Sequence, residues 1–460
     1  MKSEFNIKYI SAIALVSAMG GLLFGYDWVV IGGAKPFYER YFDIVQSPGL
    51  QGWAMSSALL GCLAGAISAG TISDKYGRKL PLIIAAFLFT WSAIGTGMAD
   101  SYTMFIIYRL LGGIGIGMAS VLSPMYIAEI SPANLRGRFV AINQLTIVIG
   151  ILFAQIINYA IAEKVPESFT DDQILVSWNG QVGWRWMFWA ETIFSAAFFM
   201  LVFFIPESPR WLVKANKDSS AKKVLSKIGG DVYSASCYKD IHETLLNETA
   251  RIDFTDLKIP KIKKIILIGS VLAILQQFCG INVIFNYADE IFTQAGYGVS
   301  DMLFNIVITG SVNLIFTLIA LKVIDSWGRR YLLLLGYGGL SFIFIIFGGF
   351  YYFEFEGLIM LVSVLIAIGL YAMTLAPTTW VVLSEIFPNK VRGVAMSIAT
   401  FSLWAACFVV TYSFPVINKT LGASGTFWIY AVSCGLGFLF VWKYISETKG
   451  KTLEEIEKSF

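Results

Sequence analysis

Twelve stretches of roughly 20 mostly apolar residues run along the chain, each long enough to cross about 30 Å of hydrocarbon as a helix rising about 1.5 Å per residue. They fall at about 8–31, 51–72, 80–98, 102–126, 138–161 and 183–205, then 263–292, 300–323, 331–352, 357–383, 393–416 and 423–444. With 57% hydrophobic and only 14% charged residues, a 460-residue chain belongs in lipid rather than water. Hydrocarbon offers the backbone no hydrogen bonds, so an all-α membrane protein with twelve transmembrane helices is expected. The first stretch is too long for a signal-peptide core and no small-residue cleavage site follows it, so it is expected to stay.

A net charge of +3 points to no nucleic acid; the information lies in where the charges fall. One set of loops carries Lys75, Arg78 and Lys79, then Arg136 and Arg138, Arg329 and Arg330, Lys390 and Arg392, and a tail with Lys449 and Lys451. The opposite loops hold little beyond Lys35, Arg40, Lys164 and Lys419, which places both termini in the cytoplasm by the positive-inside rule. Residues 206–262 form the one long polar segment, where "SSAKKVLSKI" reads as a short amphipathic helix on the cytoplasmic face.

Three motifs recur in the same order. "SDKYGRK" (73–79) returns as "IDSWGRR" (324–330), "YIAEISPANLRGR" (126–138) as "VLSEIFPNKVRGV" (382–394), and "IPESPRWL" (205–212), more loosely, as "ISETKGKTL" (445–453). The offsets of 251, 256 and 240 residues imply two six-helix bundles, 1–205 and 263–460, joined by the helical linker 206–262. Parallel duplicated halves are a transporter architecture, with the substrate site between them near the bilayer midplane.

"LLFGYDWVVIGG" (22–33) buries Asp27 in an apolar span, and Arg109 in "IIYRLLGG" is its natural partner. If the first span ends near Gly33 and the fourth begins near Ser101, the two charges lie about 9 and about 12 Å below the outer surface. A carboxylate that exchanges an arginine for a proton is a coupling group; a permanent structural ion pair is the alternative. The repeated motifs place Asp74, Arg78, Glu129 and Arg136, with Asp325, Arg329, Glu385 and Arg392, at cytoplasmic helix ends, and Glu191 and Glu207 are positioned to join them. The positive-inside rule does not require acids there, so paired acids in both repeats suggest a cytoplasmic gate holding the halves together.

The third constellation is polar and aromatic. "AILQQFCGINVIFNYADEIF" (273–292) sets Gln276, Gln277, Asn282 and Asn286 around Gly280, where a glycine lets a helix unwind over a cavity. Gln144, Gln155 and Asn158 in span five, Asn313 in span eight, Trp380 in span ten and Trp404 in span eleven are candidates to complete a pocket, amides for hydroxyls and indoles for the apolar face of a ring. The alternative is interhelical hydrogen bonding; adjacent Gln276 and Gln277 point to different sides of a helix, which favours a ligand. "GGIGIG" (112–117) lies in an apolar span and reads as small-residue helix packing rather than a nucleotide loop. His242 is the only histidine and falls in the polar segment, and the five cysteines have no metal-ligand spacing. No metal, cofactor or enzymatic motif is expected.

Together "GYD", "DKYGRK", "SPMYIAE", "GWRWMF", "PESPRWL", "QQFCGIN", "DSWGRR", "SEIFPNKVRG" and "ETKGKTLEE", spread from Ile10 to Glu455, resemble the sugar porter branch of the major facilitator superfamily, which holds both proton symporters and passive facilitators. The resemblance implies the major facilitator fold and alternating access. It carries the sugar ligands onto Gln144, Gln276, Gln277, Asn282, Asn313 and Trp380, with Trp404 beside the sugar, and proton coupling onto Asp27 and Arg109. The chain departs from the branch at Leu403 and Cys407, where relatives carry amides, at Asn286 for a lid tyrosine, at Ala376 for a glycine, and at Ile151 for a glutamine of the xylose symporters. Two amides are thus missing from one helical face.

The expectation is a secondary active transporter of the cytoplasmic membrane that imports a small neutral monosaccharide or polyol with a proton, working as a monomer in the lipid bilayer. A passive facilitator and a non-transporting sugar sensor are the alternatives.

Overall fold

The structure, a computed structural model, describes residues 5–133, 135–166, 168–247, 259–388 and 391–449. The helices of the first part are α1 (Ile7–Tyr41), α2 (Pro48–Tyr76), α3 (Lys79–Gly97), α4 (Tyr102–Ile130), α5 (Arg136–Ile161), α6 (Asp171–Val176) and α7 (Trp184–Leu201). The polar segment forms α8 (Pro209–Lys214) and α9 (Asp218–Asn247). The remainder holds α10 (Pro260–Phe278), α11 (Ile281–Asn286), α12 (Ala288–Gln294), α13 (Val299–Trp327), α14 (Arg329–Tyr352), α15 (Leu358–Met373), α16 (Leu375–Ile386) and α17 (Arg392–Tyr444). No strand occurs among the described residues.

Several expected span ends shift. α1 does not stop at residue 31 but continues through Pro36 to Tyr41, so Lys35 is a buried helix residue rather than a loop residue. The seventh span breaks at Gly280, whose left-handed φ of 79° favours glycine; a Cβ there would also meet the Tyr430 ring. The tenth breaks at Thr374, between α15 and α16. α17 is 53 residues long, well over twice a bilayer crossing, and turns at Gly422 with φ 71°; it therefore supplies the eleventh and twelfth spans. In the polar segment, α8 begins with Ser208 accepting from the Trp211 amide at 3.3 Å ahead of Pro209, and α9 buries Ala221, Val224, Leu225 and Ile228 while Lys222 and Lys223 stay exposed.

The chain sorts into two compact units. The first gathers the chain up to Asp27, Gly61–Gly150, and the stretch from Phe188 into α9. One of its close contacts joins α2 to α4. A Cβ on Gly61 would strike the Leu110 carbonyl, one on Gly65 the Ile114 carbonyl, and one on Gly117 the Cys62 carbonyl. Small residues four apart on both helices thus bring two backbones together, the packing expected of the "GGIGIG" run. The second unit gathers Trp28–Leu60, Ile151–Met187 and the chain from α10 onward. Large apolar side chains such as Trp91, Ile193, Leu267, Phe342 and Val432 are exposed along their helices, as lipid-facing positions require.

A Gly117→Val change should overpack the α2–α4 contact at a cost of about 1–3 kcal/mol. The purified protein should unfold at a lower temperature in detergent, and an unchanged midpoint would contradict this packing.

Candidate functional site

Within the first unit, α1, α4 and α7 each bring one charge to the same buried place. Arg109 donates from Nη1 to the Asp27 carboxylate, and Glu191 of α7 lies beside the pair. Asp27, Arg109 and Glu191 are only 3%, 2% and 2% exposed. The guanidinium also lies 5.9 Å from the Phe188 ring. The pairing expected from matched depth is therefore direct, although α1 runs past Gly33 and its end is not the one assumed. Glu191 corrects an expectation: it lies with this pair and not with the carboxylates of the repeated motifs. Two carboxyl groups beside one guanidinium can both ionise only if one negative charge is left uncompensated, a costly arrangement away from water.

In the second unit the break at Gly280 gathers amides. Gln276 donates to the Tyr371 hydroxyl at 2.5 Å, Gln277 to the Gln276 carbonyl oxygen at 2.6 Å, and Asn282 to the Gln277 oxygen and to Cys407 Sγ at 3.4 Å. The two adjacent glutamines were expected to point apart; they bond to each other, because the helix ends two residues later and the chain turns Asn282 back onto them. Cys407, read from sequence as a lost amide, closes this chain. Asn286 and Asn313 are buried, on α11 and α13. Trp404 is buried and packs against Trp28, ring centres 5.8 Å apart, whereas Trp380 on α16 is exposed. Gln155 is buried beside Gly310, and Asn158 donates to the Val30 carbonyl at 3.0 Å. Gln144 lies half-buried on α5 in the first unit.

The repeated motifs build the same object twice. In the first unit Arg78 clasps Glu129 with Nε and Nη2 at 2.9 and 2.8 Å, and Asp74 stands 3.8 Å from Arg78. Glu207 accepts from the backbone amides of Arg78 at 2.8 Å and Ser208 at 2.7 Å, while the Ser208 hydroxyl donates to Glu129. In the second unit Arg329 pairs with Glu385 at 3.4 Å, Glu447 accepts from the amides of Arg329 at 2.9 Å and Thr448 at 3.0 Å, and the Thr448 hydroxyl donates to Glu385 at 2.6 Å. Gly77 and Gly328, with φ of 95° and 93°, turn the chain against the two glutamates. The loose third repeat thus matches Glu207 with Glu447 and Ser208 with Thr448. Arg136 is exposed and donates to the Ala128 carbonyl at 3.0 Å. The side chains of Asp325 and Arg392 lie outside the described ones.

Residues 13–460 match the family model described as sugar (and other) transporter. The chain belongs to this family. It is 37% identical over 487 residues to the D-xylose-proton symporter of Escherichia coli (strain K12), spanning 99% of this chain and 97% of that one. It is 38% identical over 454 residues to the arabinose-proton symporter of Bacillus subtilis (strain 168), spanning 98% and 95%. Among solved structures, the xylose transporter of E. coli in an inward-open conformation matches with a TM-score of 0.85 at 36% identity, over 98% of this chain and all of that one. The same transporter bound to 6-bromo-6-deoxy-D-glucose matches with a TM-score of 0.79 at 37% identity, over 99% of this chain and 100% of that one. As a member of the sugar transporter family the protein is a multi-pass membrane transporter and not an enzyme.

Sequence reading missed two parts of this sugar transporter's architecture. One is Trp28, whose ring meets Trp404 only once α1 and α17 pack. The other is a buried cluster formed by Lys35 and Glu39 of α1 with Asp289 and Glu290 of α12. Four charges within apolar stretches were the available signal, since each needs a partner there. Of the duplicated glutamates, Glu447 titrates abnormally: burial pushes its carboxyl up, but backbone amides of Lys449, Arg329, Arg330 and Thr448 outweigh this and hold it below the usual range. A lowered carboxylate contributes stability above its unfolded pKa, about 4.3 for a glutamate, and loses it as pH falls through the folded value. Glu447→Gln should therefore lower the thermal midpoint at neutral pH, with the gap to the parent closing on acidification; a gap independent of pH would contradict this.

Proposed function

We propose that this transporter imports a monosaccharide together with a proton across the cytoplasmic membrane by alternating access, with both termini inside. The observation that carries the reading is the buried set Asp27–Arg109–Glu191, two carboxylates against one guanidinium. A proton is the smallest cation that neutralises the remaining charge, and it reaches the set only when this part of the protein is open to water. When the proton binds, Arg109 loses part of its counter-charge, which changes what α1, α4 and α7 hold together. Proton binding therefore has a mechanical consequence.

The sugar would bind at the amide chain Gln276–Gln277–Asn282, with Asn286 and Asn313 as further hydrogen-bonding groups. Trp404 and Trp380 would supply apolar ring contact. Amides donate and accept, which suits neutral hydroxylated ligands, and the xylose and arabinose relatives point to the same class. Cys407 in this chain of hydrogen bonds offers a weaker, softer partner than an amide, so the hydroxyl facing it would be held less tightly. The cytoplasmic sets around Arg78–Glu129–Glu207 and Arg329–Glu385–Glu447 would brace helix ends and act as the inner gate. The transporter would act as a monomer, each chain holding a complete site.

The decisive experiment is sugar-evoked current from proteoliposomes on a solid-supported membrane, together with sugar exchange at equilibrium. Wild type should give an inward positive current with at least one pentose or hexose. Asp27→Asn should abolish the current while leaving exchange measurable, and Asn282→Ala should raise the half-saturating sugar concentration about tenfold or more, the loss of one or two hydrogen bonds. Exchange without current in the wild type would make the protein a passive facilitator, and neither exchange nor current for any sugar would overturn the transport of sugars.

A further inference from the structure

The second unit contains a charge cluster that the sugar and proton sites do not use. Lys35 of α1 is buried, 2% exposed, and its Nζ lies 2.7 Å from Glu290, 3.0 Å from Asp289 and 3.4 Å from Glu39. Glu39 also accepts from Gln51 of α2 at 3.1 Å, and Glu290 from Asn418 of α17 at 3.1 Å. The Tyr287 ring covers the ammonium at 5.5 Å. Four helices therefore meet on one cation. The strongest of its contacts join residues 254 and 255 positions apart, from the two sequence repeats.

The surrounding contacts seal the same end of the unit. Gly32 packs so closely on α11 that a Cβ there would lie 3.1 and 3.2 Å from the carbonyl oxygens of Phe285 and Asn286. Gly33 packs on the Asn158 side chain, Gly52 of α2 on the Tyr412 carbonyl of α17, and Lys419 donates to the Gln46 carbonyl at 3.3 Å. These are apolar or backbone contacts that either state of a moving helix can lose gradually. The ion cluster differs, because a buried ammonium cannot leave three carboxylates without water replacing all of them at once. It is the all-or-none element of this end of the unit.

We propose that Lys35 is a positioning residue of the transport cycle: it holds the end of α1 shut against α12 through Asp289 and Glu290, and this end opens to the outside only when the cluster is broken and hydrated. The inference rests on the transport reading for its place in the cycle, and on the proposed orientation for calling this end the outer one. It assigns Lys35, Asp289 and Glu290 no contact with sugar or with the coupled proton. Their contribution is to the balance between closed and open forms of this face.

The test places a reporter cysteine at Ala288, which is buried inside the seal, and follows its reaction with a membrane-impermeant maleimide added outside cells that carry the full chain. The same chain without the reporter gives the background from native cysteines. Lys35→Ala should speed labelling about tenfold or more, the loss of one charge-assisted contact, and Lys35→Arg should restore slow labelling. Lys35→Ala strands buried carboxylates, so a second variant, Lys35→Met with Glu39→Gln, Asp289→Asn and Glu290→Gln, removes all four charges together. It too should label fast, and it should lower the external sugar concentration that half-saturates uptake, because the outward-open form becomes more populated. Labelling of the neutral variant as slow as the wild type overturns the proposal. Labelling needs no sugar and no proton gradient, so a wild type that fails to transport would overturn the transport reading and leave this result standing by its own outcome.

Discussion

A guanidinium at 2% exposure inside a membrane protein has to be matched, and Arg109 is matched by Asp27 on α1 and Glu191 on α7. That requirement sets the register of three helices that share little sequence proximity. The close approach of α2 to α4 through Gly61 and Gly117 holds the Arg109-bearing helix in place from its other side. Charge and close packing thus work on the same helix: the glycines leave α4 few places to go, and the carboxylates select one of them. The second carboxyl beside one guanidinium is what the proposed proton coupling rests on.

The duplicated turns show the same economy at two helix ends. A glycine with positive φ brings the chain round at Gly77 and Gly328, and a glutamate from a distant segment, Glu207 or Glu447, accepts the backbone amides the turn exposes. An arginine then ties a second glutamate, and Ser208 or Thr448 links the two carboxylates, its amide donating to one and its hydroxyl to the other. Every donor left open by the turn has an acceptor, which is why such polar groups persist at the border of an apolar span. The two copies differ in their grip although the motifs that carry it repeat closely: Arg78 holds Glu129 with two nitrogens at hydrogen-bond distance, whereas Arg329 stands 3.4 Å from Glu385.

Much of this was legible in the sequence. Apolar length announces helices, and one buried aspartate calls for one buried arginine; the two compact units, by contrast, cut across the halves that the repeated motifs suggest. The failures share a physical cause: they depend on contacts between distant segments. Lys35 reads as a loop residue beside Pro36, yet α1 continues through both, since a proline costs the helix locally while two carboxylates from α12 hold the lysine in place. Glu191 was grouped with the cytoplasmic acids because sequence gives depth along a helix but not the face it turns to. Gln276 and Gln277 point apart on a continuous helix, and meet only because the chain breaks at Gly280 and returns Asn282 to them. Trp28 needed a partner from α17 to become visible.

The account stands most directly on whether sugar and proton move together. Sealed proteoliposomes with a pH-sensitive dye inside, clamped at zero membrane potential and with equal pH on both sides, receive an inward gradient of a transported sugar. Acidification of the lumen that follows the sugar, and that disappears in Asp27→Asn, is the predicted result. Sugar filling the lumen while the pH stays constant would contradict the account, and would reduce the Asp27–Arg109–Glu191 set to a structural tie between helices.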